Sequence, residues 1–341
     1  MAAGARMREL VIGSRGSRLA RAMVAEFRAR LGYRGPVRTV TVMTAGDRDR
    51  RRPLKEIAGV GAFSSALEQA LLDGRVDVAV HSAKDLVAGG HPDLVLAVTP
   101  PRGDVRDALC GATLETLPPG ARVGTSAARR AAQLRALRPD VRVVGIRGNV
   151  PPRLARARTH GGTLDAVMLA AAGLDRLGLA GAATQRLPAE DFLPDPGQGA
   201  LAIQVRRDDC ALLAEMSQAG DAVTDAAVRA ERAMMHALRG GCTLPIGAYT
   251  EHTSAGLRLV GSVTSLDGRH QVRASRTAGP EEYPEVLGAR LADLLRARGV
   301  EALLDRRAWP SDGSAGPVSP GADGRHDPAG QRPGDPTWRS D

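Results

Sequence analysis

The chain has 341 residues, 43% hydrophobic and 25% charged, with a formal net charge of +9. That composition excludes a wholly disordered chain, a disulfide scaffold and a fibre, and the length sets two or three domains as the expectation. No stretch approaches the roughly 18 uninterrupted apolar residues of a membrane span, and no continuous apolar run precedes the first strand-like segment, so no secretory signal is expected.

LVIGS (10–14) reads as a strand and SRLARAMVAEFRARL (17–31) as an amphipathic helix, with Leu19, Met23, Phe27 and Leu31 on one face and Ser17 as N-cap. VRTVTVMT (37–44) is β-branched. The charged, Gly- and Pro-containing stretch 45–63 is expected to be a long mobile loop. A helix over 64–74 and buried strands at 76–80 and 94–98 complete an α/β pattern with a mainly parallel sheet. The pattern then recurs. Strands are predicted at 121–125, 141–146 and 164–170, helices at 126–137, 149–157 and 171–179, and a further strand at 200–205. A helix from about Asp221 to Leu238, strands at 244–249, 257–263 and 270–275 and a helix over 281–299 read as an α+β module. The segment from about Pro310 to Asp341 is almost free of aliphatic residues and is expected to be disordered.

Positive charge calls for an anionic partner. Aromatics make up only 2% of the chain, too few to stack bases along a single strand, and the arginines are dispersed. A small polyanion gripped by arginines from several loops fits at least as well as nucleic acid. In AVHSAKD (79–85), a buried strand runs into Ser82, Lys84 and Asp85, where open α/β sheets bind ligands. Asp85 there is either a general acid or stabiliser of a cation, or simply the cap of the next turn. GTSAARR (124–130) puts Thr125 and Ser126 before a helix and Arg129 and Arg130 in its first turn. The macrodipole disfavours cations there, so an uncompensated Arg pair points to a bound anion or to solvation. Arg147 and Arg153 flank a second strand-to-helix junction and Arg15 a third. Planar guanidinium groups suit carboxylate or phosphate. Cys110, Cys210 and Cys242 lie far apart with no CxxC pair, which argues against a zinc site and for a reducing compartment. Cys242, on a Gly-Gly turn, is either an open, ionisable thiol or a small buried residue. No P-loop or GxGxxG motif is present.

IGSRGSRLA, TAGD, HSAKDL, RDAL, GTSAARR, IRGNVPPRL, LPDPGQGALAIQ, AERA and GGCTLPIGAY, in this order, resemble the porphobilinogen deaminase (hydroxymethylbilane synthase) family from about residue 9 to 250. The resemblance implies two α/β domains like those of periplasmic binding proteins plus a C-terminal α+β domain: residues 1–100 with 198–218, then 101–197, then 219–308, with the tail at 309–341. It implies a cytoplasmic monomer that joins four porphobilinogens head to tail with loss of ammonia, primed by a dipyrromethane held covalently on Cys242, with no metal and no nucleic-acid or membrane partner. Asp85 is then the catalytic carboxylate, with Lys84. Lys84, Ser82, Thr125, Ser126, Arg129 and Arg130 would hold the dipyrromethane, and Arg15, Ser17, Arg147, Arg153, Arg176 and Phe63 the substrate and growing chain. The lid loop departs from the family pattern at Val60, Ser65 and Ala66, and Val87 stands where proline is usual. Arg48, Arg50, Arg51 and Arg52 are candidates to supply the missing charge. These departures leave a slow or non-catalytic anion-binding paralogue as the second reading.

Overall fold

A computed structural model describes residues 8–48, 61, 63–87, 89–239 and 244–304. In chain order these form β1 (Leu10–Ser14), α1 (Arg18–Arg30), β2 (Val37–Thr41), α2 (Ala45–Arg48), α3 (Ser65–Leu72), β3 (Val78–Ser82), β4 (Leu94–Val98), β5 (Asp107–Cys110), β6 (Arg122–Gly124), α4 (Ala128–Leu137), β7 (Arg142–Val144), α5 (Val150–Leu154), β8 (Ala166–Ala170), α6 (Ala171–Arg176) and β9 (Gln185–Arg186). They continue through β10 (Leu201–Arg206), α7 (Cys210–Met216), α8 (Ala222–Ala237), β11 (Ile246–Thr253), β12 (Gly256–Thr264), β13 (Gln271–Thr277), α9 (Pro284–Ala297) and α10 (Glu301–Leu304).

The first sheet has the order β2-β1-β3-β10-β4 and the second β7-β6-β8-β5-β9. In each, a trio of parallel strands is followed by one antiparallel strand, β10 or β5, and then by an edge strand antiparallel to that one. The odd strand is in both cases the one the chain reaches after crossing from the other lobe, through 99–106 into β5 and through 187–200 into β10. The sheets are therefore mainly parallel, as expected for strands linked by helical crossovers. The helix α1 buries Met23, Val24 and Phe27 against Leu10, Ile12, Val80 and Ile203, the face its four-residue spacing predicts, and Ser17 caps it by accepting from the Ala20 N–H at 3.1 Å. The third lobe is the antiparallel sheet β11-β12-β13 under α8 and α9, with Met234, Leu259, Val263, Leu287 and Leu291 in its core. The two helices approach so closely that a β-carbon on Gly288 would lie 2.3 Å from the Ala230 carbonyl oxygen.

Some elements differ from the sequence expectation. The stretch 45–63 is not all loop, because Ala45–Arg48 turns as α2, with Asp47 bonded back to Thr44. The strand β5 and the helix α7 were not expected. β5 is only four residues long and starts on an aspartate, and α7 is a short helix capped by Asp209. Val60, Arg50, Arg51, Arg52, Cys242 and the tail at 309–341 lie outside the described residues.

Candidate active site

Side chains gather at the carboxyl ends of β1, β3, β6 and β7, between the first two lobes. Arg15 follows β1. Its Nε and Nη2 donate to the two Asp47 carboxylate oxygens at 3.1 and 2.7 Å, and the Phe63 ring lies 4.3 Å from its Cζ. That ring needs the space at Gly46, where a β-carbon would lie 2.1 Å from Phe63 Cε1. Burial works against the Arg15 charge, but Asp47 and Asp85 outweigh it and hold the pKa above its ordinary value.

Past β3, residues Ala83–Asp85 make one 3-10 turn, and Ser82 ends the strand, half-buried. Lys84 Nζ donates to Gln198 Oε1 at 3.0 Å and lies 3.7 Å from Asp195. Burial, then the neighbouring Arg130, push its pKa down against the pull of Asp195, Asp85 and Asp107. Among the described residues the cation within ion-pair distance of Asp85 is Arg15 Nη1 at 3.9 Å, and that guanidinium is already paired with Asp47. Among the described residues no side chain donates a hydrogen bond to Asp85, whose side chain is 31% exposed. Asp85 is thus a carboxylate ringed by cations that are engaged elsewhere.

The second lobe contributes a buried charge network. Asp107 is fully buried. It accepts from Arg129 Nη1 at 2.7 Å, Arg130 Nε at 2.8 Å and Gln198 Nε2 at 3.0 Å. Arg129 also donates Nε and Nη2 to Asp195 at 2.9 and 3.1 Å and Nη1 to the Leu193 carbonyl. Both carboxyls are held below the ordinary range. Burial raises them, and the two arginines, helped at Asp195 by Lys84, pull them down further. The Arg pair at the start of α4 is therefore not uncompensated, as its place in the first helical turn suggested. The protein's own carboxylates face it. Arg130 keeps Nη2 on Gln198 Oε1 at 3.2 Å, so Gln198 gives Lys84 and Arg130 a shared acceptor.

Ser126 exchanges hydrogen bonds with the backbone of Ile146, and Thr125 accepts weakly from the Ala127 N–H. Arg153 donates Nε to the Gly148 carbonyl at 2.6 Å. Its pKa is lowered to about 10, by burial first and then by Arg130, Arg147 and Arg15, with Asp85 opposing. Arg15, Lys84, Arg130, Arg147 and Arg153 are thus brought close enough to repel one another, and an anionic ligand would relieve that repulsion. Arg176 has another setting: it bonds Glu26 of α1 at 2.7 Å and the Gly199 carbonyl at 2.9 Å, tying α6 to the first lobe.

Sequence reasoning did not single out Asp47, Asp107, Asp195, Gln198, Arg102, Glu231 or Arg232. Each lies in or beside a motif already quoted, but a carboxylate's partner across the fold leaves no mark in spacing. Among the described residues no group of His, Cys, Asp and Glu is placed to hold a metal ion, and no helix is long and apolar enough to cross a membrane.

Two family models match the chain: "Porphobilinogen deaminase, dipyromethane cofactor binding domain" over residues 10–214 and "Porphobilinogen deaminase, C-terminal domain" over residues 226–297. A porphobilinogen deaminase of Roseiflexus castenholzii is 44% identical over 301 residues, covering 86% of this chain and 98% of that protein. One from Nocardia farcinica is 44% identical over 317 residues, covering 89% and 90%. Among solved structures, a Salmonella typhimurium periplasmic binding protein aligns with 64% of this chain and 94% of its own at 15% identity and a TM-score of 0.34.

Proposed function

The chain belongs to the porphobilinogen deaminase family, and from that membership we propose which residues carry its reaction. The protein is a transferase of porphyrin and heme biosynthesis, a hydroxymethylbilane synthase. It joins four porphobilinogens head to tail, each losing ammonia, from a dipyrromethane primer, and releases hydroxymethylbilane. The single observation that carries the residue assignment is Asp85: a carboxylate without a hydrogen-bond donor among the described residues, at the end of a parallel strand, ringed by cations.

The residues present fit a dipyrromethane. Its acidic side chains would meet Lys84, Arg130, Thr125, Ser126 and Ser82, on a base set by Arg129, whose own donors bind Asp107 and Asp195. Cys242 is the anchoring thiol in this reading. When bound, the group supplies the pyrrole carbon to which the first unit is joined. Arg15, Arg147 and Arg153 would bind the carboxylates of incoming porphobilinogen, with Phe63 beneath Arg15. Ser17 would act through the cap that fixes α1, and Arg176 through its link between lobes.

Loss of ammonia leaves positive charge on the substrate pyrrole. Asp85 faces that charge, and a preformed carboxylate in a part-buried cleft stabilises it without reorganisation. Lys84 does not neutralise Asp85, because Gln198 and Asp195 hold its ammonium. We assign the three domains the boundaries 1–100 with 198–218, 101–197 and 219–308, and place the protein in the cytoplasm as a monomer.

Intact-mass measurement tests the assignment. Purified protein is expected to carry one dipyrromethane, absent from Cys242→Ser, and Asp85→Asn is expected to keep the group while losing turnover. Protein that stays unmodified and consumes no porphobilinogen, even after incubation with preformed hydroxymethylbilane, would instead be an anion-binding module.

A further inference from the structure

We propose that Arg232, on α8 of the third lobe, is a positioning residue that sets the orientation of Asp85 by clamping the turn that carries it. Its Nη1 donates to the carbonyls of Ala83 at 3.1 Å and Leu86 at 3.2 Å, and its Nη2 to that of Val87 at 2.7 Å. One guanidinium therefore holds the first residue of the Ala83–Asp85 turn and the two residues that follow it.

The turn needs such a clamp. Its own closing bond, from the Leu86 N–H to the Ala83 carbonyl, is long at 3.4 Å. The Ala83 N–H is tied to the Ala200 carbonyl at 3.0 Å, but that fixes only the entry. Residue 87 is valine, so no proline ring presets φ at the exit. Neither Lys84 nor Asp85 supplies a side-chain bond to the turn: Lys84 reaches away to Gln198, and Asp85 lies toward Arg15. Among the described residues, Arg232 has no carboxylate within ion-pair distance, so its donors are spent on carbonyls. A planar fork can span several carbonyls where a point ammonium cannot.

The clamp is rigidly mounted. Glu231, the preceding residue, is fully buried and accepts from Arg102 at 2.8 and 2.9 Å, the Gly197 N–H at 2.7 Å and the Thr250 hydroxyl at 2.8 Å. Arg102 and Gly197 lie on the two segments that cross between the first lobes. Adjacent residues of α8 thus hold the crossing segments and the Asp85 turn. The third lobe registers the position of the reacting carboxylate without touching it.

The proposal rests on Asp85 being that carboxylate, so the test separates the clamp from the chemistry. Arg232→Lys keeps the charge and loses the fork, and Arg232→Ala loses both. Arg232 lines a cavity of about 630 Å³ between the first lobe and α8 and α9, wide enough to admit free guanidinium in the alanine variant. Amide hydrogen exchange over 83–87 should quicken at least about tenfold in both variants while the β3 core keeps its protection. In cofactor-loaded enzyme, kcat should fall about 10- to 100-fold with KM within about twofold, the signature of a misaimed group. Added guanidinium chloride at low millimolar concentration should restore part of kcat in Arg232→Ala and nothing in the wild type. Unchanged exchange over 83–87 in both variants overturns the clamp, whatever the turnover. Quickened exchange with wild-type kcat overturns the positioning role, as does protection lost evenly along the chain with no guanidinium rescue. If even the wild type consumes no porphobilinogen, the functional reading fails while exchange still decides the clamp.

Discussion

Asp107→Asn isolates the buried charge network from the chemistry. Asp107 is 0% exposed and compensates two guanidinium groups that are themselves 1% and 4% exposed. Asparagine keeps the shape but removes the charge and turns one acceptor into a donor facing N–H groups. Arg129 retains its two bonds to Asp195. Arg130 loses its carboxylate partner and keeps the Met168 carbonyl and the Gln198 amide oxygen. Removing one partner of a buried pair costs about 3–5 kcal/mol, and the retained Asp195 contact puts this case near the lower figure. At a urea slope of roughly 3 kcal/mol/M, the transition that reports on the second lobe should move about 1 M lower. The pH dependence has a definite sign. The folded Asp107 pKa is depressed, so its contribution is complete above the unfolded value and is lost as pH falls through the folded one. The deficit of the variant should be constant above about pH 5 and shrink below about pH 4. A deficit under about 1 kcal/mol at neutral pH, or one that grows on acidification, would refute the reasoning.

Three further outcomes follow from single contacts. His81, 3% exposed beside Gln204 with Arg232 and Arg15 nearby, is pushed down to about 4, chiefly by burial. Its folded pKa is depressed, so stability present above about pH 6.5 drains away as pH falls toward 4, by up to about 3 kcal/mol, and His81→Asn should lose less between neutral and acid urea titrations; an equal acid loss in the variant contradicts this. Gly46→Ala drives a β-carbon into the Phe63 ring and takes that ring off Arg15; KM for porphobilinogen should rise about fivefold with the fold retained by circular dichroism, and an unchanged KM would show the ring to be irrelevant to binding. Gln198→Leu removes the acceptor shared by Lys84 and Arg130. The Lys84 pKa, already lowered, should drop further, so the alkaline limb of the kcat/KM profile should move to lower pH, and an unmoved limb counts against a role for its charge.

How far the sequence could be read depended on where each signal resides. Helix α1 announced itself through the spacing of Met23 and Phe27 and the Ser17 cap, because those contacts are local or lie on one helical face. The gathering of Arg15, Lys84, Asp85, Arg130, Arg147 and Arg153 was also legible, since each stands at a strand-to-helix junction and parallel strands bring such junctions to one edge. The counter-charges were not legible. Asp195 lies on one crossing segment, Asp107 starts β5 directly after the other, and Arg102 lies within it, stretches with no period to read and partners up to 129 residues away. A basic residue in the first turn of α4 therefore looked like a request for an external anion. Of that pair, Arg129 is saturated by the protein, while Arg130 shares Gln198 with Lys84 at the edge of the cleft. The same distinction separates Arg129 from Arg153, which among the described residues has no carboxylate within ion-pair distance and donates Nε to the Gly148 carbonyl: whether carboxylates from a distant segment reach such a guanidinium first is decided by the fold.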